Sequence, residues 1–199
     1  MTGRLILASA SPTRRSILEA ARVPFETMAP NVDERQIECK LVAQGAEAVA
    51  VAEQLAEQKA LNVSAQVKDA LVLGADQVLV CAGKLFSKAE DLSGARETLK
   101  ALRGRKHQLI SSVVLACNRL SEWRHVEIAE LWMRGFSDEF LDEYLEQEGE
   151  VILGSVGCYR IEGRGAQLFD KVLGDQFTIR GLPLFALLGA LRERGIVPK

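Results

Sequence analysis

The chain has 199 residues and a near-even charge balance, 25 Lys and Arg against 27 Asp and Glu, for a formal net charge of −2. Apolar residues make up 48% and charged residues 26%, which supports a sizeable core and excludes general disorder. The balance argues against a dedicated binder of duplex nucleic acid, which carries a basic excess, but leaves room for a local basic pocket around one small anion.

The length suits a single domain over residues 1–199, compact or drawn out into two lobes. The densest apolar run, residues 181–191, is short of the roughly 18 residues a membrane span needs and contains Pro183. Leu5-Ile-Leu-Ala8 is too short for a secretory h-region and runs into Ser-Ala-Ser-Pro-Thr-Arg-Arg. Cys39, Cys81, Cys117 and Cys158 are scattered without a C-x-x-C, so reduced thiols in a cytoplasmic protein are expected. His107 and His125 have no neighbours at zinc-ligand spacing.

In chain order, residues 5–8 predict a short buried strand. Ser11-Pro12 then opens a helix to about residue 22, with Ser as N-cap and Pro in the first turn. A second short strand is expected over 25–28, and an amphipathic helix over 46–63, with Val49, Ala52, Leu55, Ala56 and Ala60 near one face. Residues 71–80 read as a Val- and Leu-rich strand with a turn at Ala82-Gly83, and 92–102 as a helix stopped by Gly104. Two neighbouring strands follow over 108–116 and 126–134. Ser137 caps a helix ending near Gly149. The stretch 154–165 is glycine-rich and irregular. A short helix over 166–173, a short strand over 177–179 and a last helix over 184–194 complete the chain. Helices and strands alternate at first and a strand pair follows, which predicts a mixed α/β sheet flanked by helices rather than a purely doubly wound one.

Three places put charge where the pattern is apolar. At the first, a buried strand meets a helix N-terminus at Ser9, Ser11, Thr13, Arg14 and Arg15. Free N–H groups, the positive dipole end, hydroxyls and guanidinium groups can together hold phosphate. Arg14, four residues before Leu18, lies beside the apolar stripe; Arg15, four before Glu19, faces outward. The alternative is a plain Ser11 cap with both arginines solvated. At the second, Lys59 follows Leu55 and Ala56 on the apolar face of its helix, where it must snorkel, pair or serve a ligand. At the third, Asp76 interrupts Leu71-Val-Leu-Gly-Ala-Asp-Gln-Val-Leu-Val80 and needs a cation, a proton or donors. It is a candidate general base or metal ligand, or one half of a structural salt bridge. Strand alternation sends Gln77 to the opposite face, so a site using both needs the strand to end or kink, with Gly74 as the place. Lys88, Asp33, Glu34 and Glu162 lie in loop-like stretches and are unremarkable alone.

Together these segments resemble the Maf family of nucleoside-triphosphate pyrophosphatases. The opening Leu5-Ile-Leu-Ala-Ser-Ala-Ser-Pro-Thr-Arg-Arg-Ser-Ile-Leu18 is similar to that family's signature. Asn31-Val-Asp-Glu34, Ala56-Glu-Gln-Lys-Ala60, Leu73-Gly-Ala-Asp-Gln-Val78, Gly157-Cys-Tyr-Arg-Ile-Glu-Gly163 and Gly181-Leu-Pro-Leu184 follow in family order. The resemblance implies an inosine-triphosphatase-like mixed α/β fold with a cleft between two lobes. It implies hydrolysis of a nucleoside triphosphate to monophosphate and pyrophosphate with a divalent cation, Mg²⁺, Mn²⁺ or Co²⁺, and no nucleic-acid polymer as partner.

By position, Asp76 becomes the proton acceptor and Glu34 a helper in metal or water placement, the two being the metal ligands. Ser9, Arg14, Lys59 and Lys88 become phosphate-binding residues. Thr13, Gln77 and Glu162 stand where the pyrimidine-directed branch has Arg, Thr and Gln, and Gln77 and Glu162 resemble the 7-methyl-GTP-directed branch. A carboxylate can pair with the cationic 7-methylguanine ring. Thr13 departs from that branch's aromatic, Ser87-Lys88-Ala89 from a Gly-Lys-Pro, and Ser155-Val156 from the Lys-Ala of many relatives. The rival expectations are a UTP- or dTTP-directed pyrophosphatase, a non-catalytic nucleotide-binding regulator of cell division, and a structural protein. A homodimer is left open.

Overall fold

A computed structural model describes residues 3–199. The strands are β1 (Arg4–Ala8), β2 (Glu26–Thr27), β3 (Ala70–Cys81), β4 (Lys84–Phe86), β5 (Lys106–Cys117), β6 (Leu120–Met133) and β7 (Phe169–Leu173). The helices are α1 (Pro12–Ala20), α2 (Glu34–Ala43), α3 (Ala48–Ser64), α4 (Leu92–Leu102), α5 (Asp138–Glu148), α6 (Gln176–Ile179) and α7 (Leu184–Glu193). The strand order is β2-β1-β3-β5-β6-β7, with β4 beside β3. β1 runs parallel to both β2 and β3, whereas β4 is antiparallel to β3 and β7 to β6. The sheet is therefore mixed, as the order of elements predicts.

The chain divides into two compact units. The first holds residues 1–77, 111–127 and 181–199, the second 78–110 and 128–180. In the first, Ile6 and Ala8 of β1, Val72 of β3 and Val114 and Ala116 of β5 form a core with Ala56, Ala60 and Val63 of α3. Its small side chains let helix and strand come close. A Cβ on Gly74 would lie 2.2 Å from the Ala56 carbonyl oxygen and 2.7 Å from the Ala60 nitrogen. Gly74 therefore serves helix-on-strand packing, and β3 runs on past it to Cys81 rather than ending there. In the second unit the core is built on Leu99 and Leu102 of α4, Leu141 and Tyr144 of α5, and Leu131 and Met133 of β6.

Several expectations are corrected. Asp33 and Glu34, expected in a loop-like stretch, stand instead at the start of α2. Asp33 is its N-cap, accepting from the Gln36 N–H at 2.9 Å, and Glu34 is its first residue. β6 begins at Leu120, six residues before the expected 126, and meets β5 through Asn118 and Arg119, both at positive φ (47° and 67°). Such a two-residue turn matches the twist of the strands it joins. The exposed, charged first half of β6 conceals it from a hydrophobic pattern.

Residues 164–168 form a 3-10 turn, but the expected helix does not continue through 173: residues 169–173 are β7, paired with β6. Residues 177–179 are helical, not extended. The Asp175 carboxylate accepts from the Phe177 and Thr178 N–H groups at 2.7 and 3.1 Å, and this cap outweighs the β-preference of Phe-Thr-Ile. Among the described residues no helix is long and apolar enough to cross a membrane. All four cysteines are free.

Candidate active site

The charged positions of the first unit converge. Asp76, 6% exposed on β3, and Lys59, 5% exposed on α3, meet as a buried ion pair, with Lys59 Nζ donating to Asp76 Oδ1 at 2.6 Å. The same ammonium lies 2.8 Å from Glu34 Oε2, whose side chain is about half exposed at the start of α2. Lys59 thus pairs rather than snorkels, and joins one buried carboxylate to one that reaches solvent. Burial raises the Asp76 carboxyl above the ordinary aspartate range, while the Lys59 and Arg14 charges pull it down.

Arg14 is inward, as its helical phase predicts. Its Nε donates to the Gly181 carbonyl at 2.8 Å and its Nη1 to Ser9 Oγ at 3.3 Å. Burial lowers its pKa, opposed by the negative charges of Asp76 and Glu34. Arg15 points away and pairs with Glu19 at 3.0 Å, with both side chains more than half exposed. The Ser11 hydroxyl caps α1 by accepting from the Arg14 N–H at 3.3 Å, and Ser9 Oγ accepts from the Ser11 N–H at 3.2 Å. The hydroxyls, the arginine and the start of α1 therefore form one donor-rich corner beside the Lys59–Asp76 pair. Gln77, the residue after Asp76 on β3, donates from Nε2 to the buried Ser111 Oγ at 2.9 Å, and a Cβ on Gly181 would lie 3.6 Å from its Oε1. Thr13 is half-buried in the first turn of α1, its carbonyl accepting from Ser16 Oγ at 2.8 Å.

Lys88 and Glu162 belong to the second unit. Lys88 is exposed after β4. The Glu162 carboxylate lies between two guanidinium groups, 3.6 Å from Arg160 Nε and 3.7 Å from Arg180 Nε. Gly181, Ser111, Arg160 and Arg180 join the candidate residues from the structure alone. Of these, Arg160 and Gly181 lie in the quoted runs Gly157–Gly163 and Gly181–Leu184, there without a role.

The donor chemistry fits a hard divalent ion. Two carboxylate oxygens, Asp76 Oδ1 and Glu34 Oε2, already approach one cationic point at Lys59 Nζ. One or two carboxylates, completed by water and phosphate oxygens, is a common set for Mg²⁺. Among the described residues no group of three or more His, Cys, Asp and Glu is placed to hold a metal by itself.

Residues 4–194 match the family model described as Maf-like protein. The chain belongs to that family. Among its relatives, a "Nucleoside triphosphate pyrophosphatase" of Granulibacter bethesdensis is 51% identical over 190 residues, covering 96% of each chain. A "7-methyl-GTP pyrophosphatase" of Rhizobium meliloti is 47% identical over 193 residues, covering 97% of each. A solved nucleoside-triphosphatase, described as a dITP/XTP pyrophosphatase, of Mycobacterium abscessus overlaps 65% of this chain and 74% of its own at TM-score 0.39 and 15% identity. That likeness is too remote to add to the assignment. For this Maf-like chain, the buried Asp76–Lys59 pair with Arg14 and Glu34 around it accounts for the three places where charge interrupts an apolar pattern.

Proposed function

We propose that this Maf-like protein is a nucleoside-triphosphate pyrophosphatase, cleaving between the α and β phosphorus atoms to give nucleoside monophosphate and pyrophosphate. The observation that carries the reading is the buried Asp76 carboxylate held by Lys59 beside the Arg14–Ser9 corner. A carboxylate raised by burial is suited to take a proton from water. An ammonium, a guanidinium and a helix N-terminus are suited to a polyphosphate. The relatives named as pyrophosphatases support the same chemistry.

In this reading Lys59, Arg14, Ser9 and the first N–H groups of α1 hold the triphosphate, with Lys88 as a further phosphate contact. Asp76 accepts the proton of the attacking water, and Lys59 and Arg14 stabilise charge on the phosphoryl oxygens as it grows. Asp76 and Glu34 would hold a divalent cation, which supplies Lewis-acid stabilisation of the phosphates when bound. Cleavage between α and β leaves pyrophosphate in one piece. Release of pyrophosphate from nucleoside triphosphates with Mg²⁺, Mn²⁺ or Co²⁺ tests the reading; orthophosphate as the only product rejects it.

The base is read by Glu162, with Gln77 and Thr13 in support, and the preferred substrate is 7-methyl-GTP. The Arg160 and Arg180 guanidinium groups already pair with Glu162, so a cationic base shares that carboxylate rather than finding it bare. This places the expected preference at the modest end, about tenfold over UTP. A higher kcat/KM for UTP or dTTP would transfer the assignment to pyrimidine substrates.

A further inference from the structure

We propose that Gly181 is a positioning residue for Arg14: its carbonyl, together with Ser9 Oγ, locks the guanidinium plane that meets phosphate. The inference rests on the phosphate-binding reading of Arg14 given above and deepens it.

An arginine carries five N–H donors in one rigid plane. Here the Nε–H goes to the Gly181 carbonyl at 2.8 Å and one Nη1–H to Ser9 Oγ at 3.3 Å. Two bonds from different ends of the chain, in a rigid fork, fix the orientation of the plane. They leave the Nη2 pair and the second Nη1 hydrogen without a protein acceptor among the described residues. Those donors belong to a buried-side group that feels the charges of Asp76 and Glu34. A free arginine would lose much rotamer freedom on meeting a phosphate. An arginine locked during folding has already lost it.

The backbone at 181 explains why this carbonyl can be the lock. Gly181 has φ +89°, a conformation that side-chain-bearing residues rarely adopt. A Cβ there would lie 3.4 Å from Arg14 Nη2, 3.6 Å from Arg14 Nε and 3.6 Å from Gln77 Oε1. Those are ordinary contacts, so space alone would admit a methyl group; the dihedral would not. Substitution therefore acts by turning the 181 peptide, and with it the acceptor of the Arg14 Nε–H.

The test is a titration with inorganic pyrophosphate in Mg²⁺ by calorimetry, using the full chain, Arg14→Ala, Gly181→Ala and the double variant. Arg14→Ala is expected to weaken binding about tenfold. Gly181→Ala is expected to weaken it about fivefold with Arg14 present, and less than about twofold when Arg14 is already alanine. Equal losses in both backgrounds, or no loss, overturn the positioning role and leave the phosphate reading of Arg14 intact. An unchanged Arg14→Ala protein instead removes that reading and this inference with it.

A measurement on the unaltered protein decides the matter if Gly181→Ala does not fold. The arginine Nε–H resonance assigned to Arg14 should be protected from solvent exchange in both the free and the pyrophosphate-bound protein. Exchange at the rate of a surface guanidinium in the free protein overturns the lock.

Discussion

Each of the two units buries a polar group, and they do so in opposite ways. In the first, Asp76 and Lys59 are both nearly inaccessible, with Arg14 and Glu34 supplying further charge. In the second, His107 is 1% exposed and its Nε2 lies 2.8 Å from the Tyr159 hydroxyl. Phe169 packs at ring-centroid distances of 5.9 Å from His107 and 4.8 Å from Tyr159. Among the described residues no countercharge acts on His107: burial depresses its pKa to about 4 and keeps it neutral near pH 7. Tyr159 is likewise pushed upward by burial and stays un-ionised. The contrast separates two uses of a buried polar group. A neutral pair holds a chain segment in place, whereas a surplus of mutually paired charges with one solvent-facing carboxylate can exchange partners with an ionic ligand.

The most severe way to break the contrast is Asp76→Asn, which keeps the size, turns one acceptor oxygen into a donor amide and removes the charge. The protein should remain folded by circular dichroism, with turnover down about 100-fold or more. Near-normal turnover would make the pair a structural salt bridge. Next come Lys59→Ala and Arg14→Ala, each expected to reduce kcat/KM about 30-fold, with Arg15→Ala within about twofold because it faces Glu19 outside the corner. Equal effects at 14 and 15 would deny the corner its role.

The neutral pair is tested by pH. Because the folded pKa of His107 lies below the unfolded value of about 6.5, the unfolded state takes up the proton first. Stability is then lost as pH falls from about 6.5 toward 4. Denaturant unfolding of His107→Gln and the parent at pH 7 and pH 5 should differ in pH dependence by about 2 kcal/mol, the parent losing more. Identical slopes would mean that His107 is not held neutral by the fold. The smallest expected effect is Glu162→Gln, which should lower the 7-methyl-GTP to UTP ratio of kcat/KM by about tenfold or less, Arg160 and Arg180 having already drawn on that carboxylate. An unchanged ratio would remove Glu162 as the selector.

How far the sequence carries depends on what kind of cause operates. Lys59, Asp76 and Arg14 are legible because each sets a charge against an apolar pattern, and such a conflict demands a partner somewhere. Strand and helix ends at Ser11, Ser137 and Gly104 are legible from caps and positive φ. The helix that presents Glu34 is hidden because it buries no side chain fully. Its signal is the Asp33 cap followed by Ile37 and Leu41 at helical spacing, which is faint beside the surrounding charge. β7 and α6 exchange the expected types because pairing to β6 and the Asp175 cap decide them, and the first of these is a non-local fact. The Gly181–Arg14 bond spans 167 residues and uses a backbone oxygen, so no side-chain pattern could announce it.

The close approach at Gly74 extends the active site to residues without functional groups. Ala56, Ala60 and Gly74 carry no charge, donor or nucleophile in their side chains. Yet the thickness they allow between α3 and β3 sets how far the Lys59 amine must reach to meet Asp76. A methyl group added at 74 would collide with backbone, which cannot rotate aside, so the helix must yield. In reading natural variants of this protein, changes at 56, 60 and 74 therefore belong with changes at 59 and 76: they alter the spacing of the ion pair while every residue that performs chemistry stays the same.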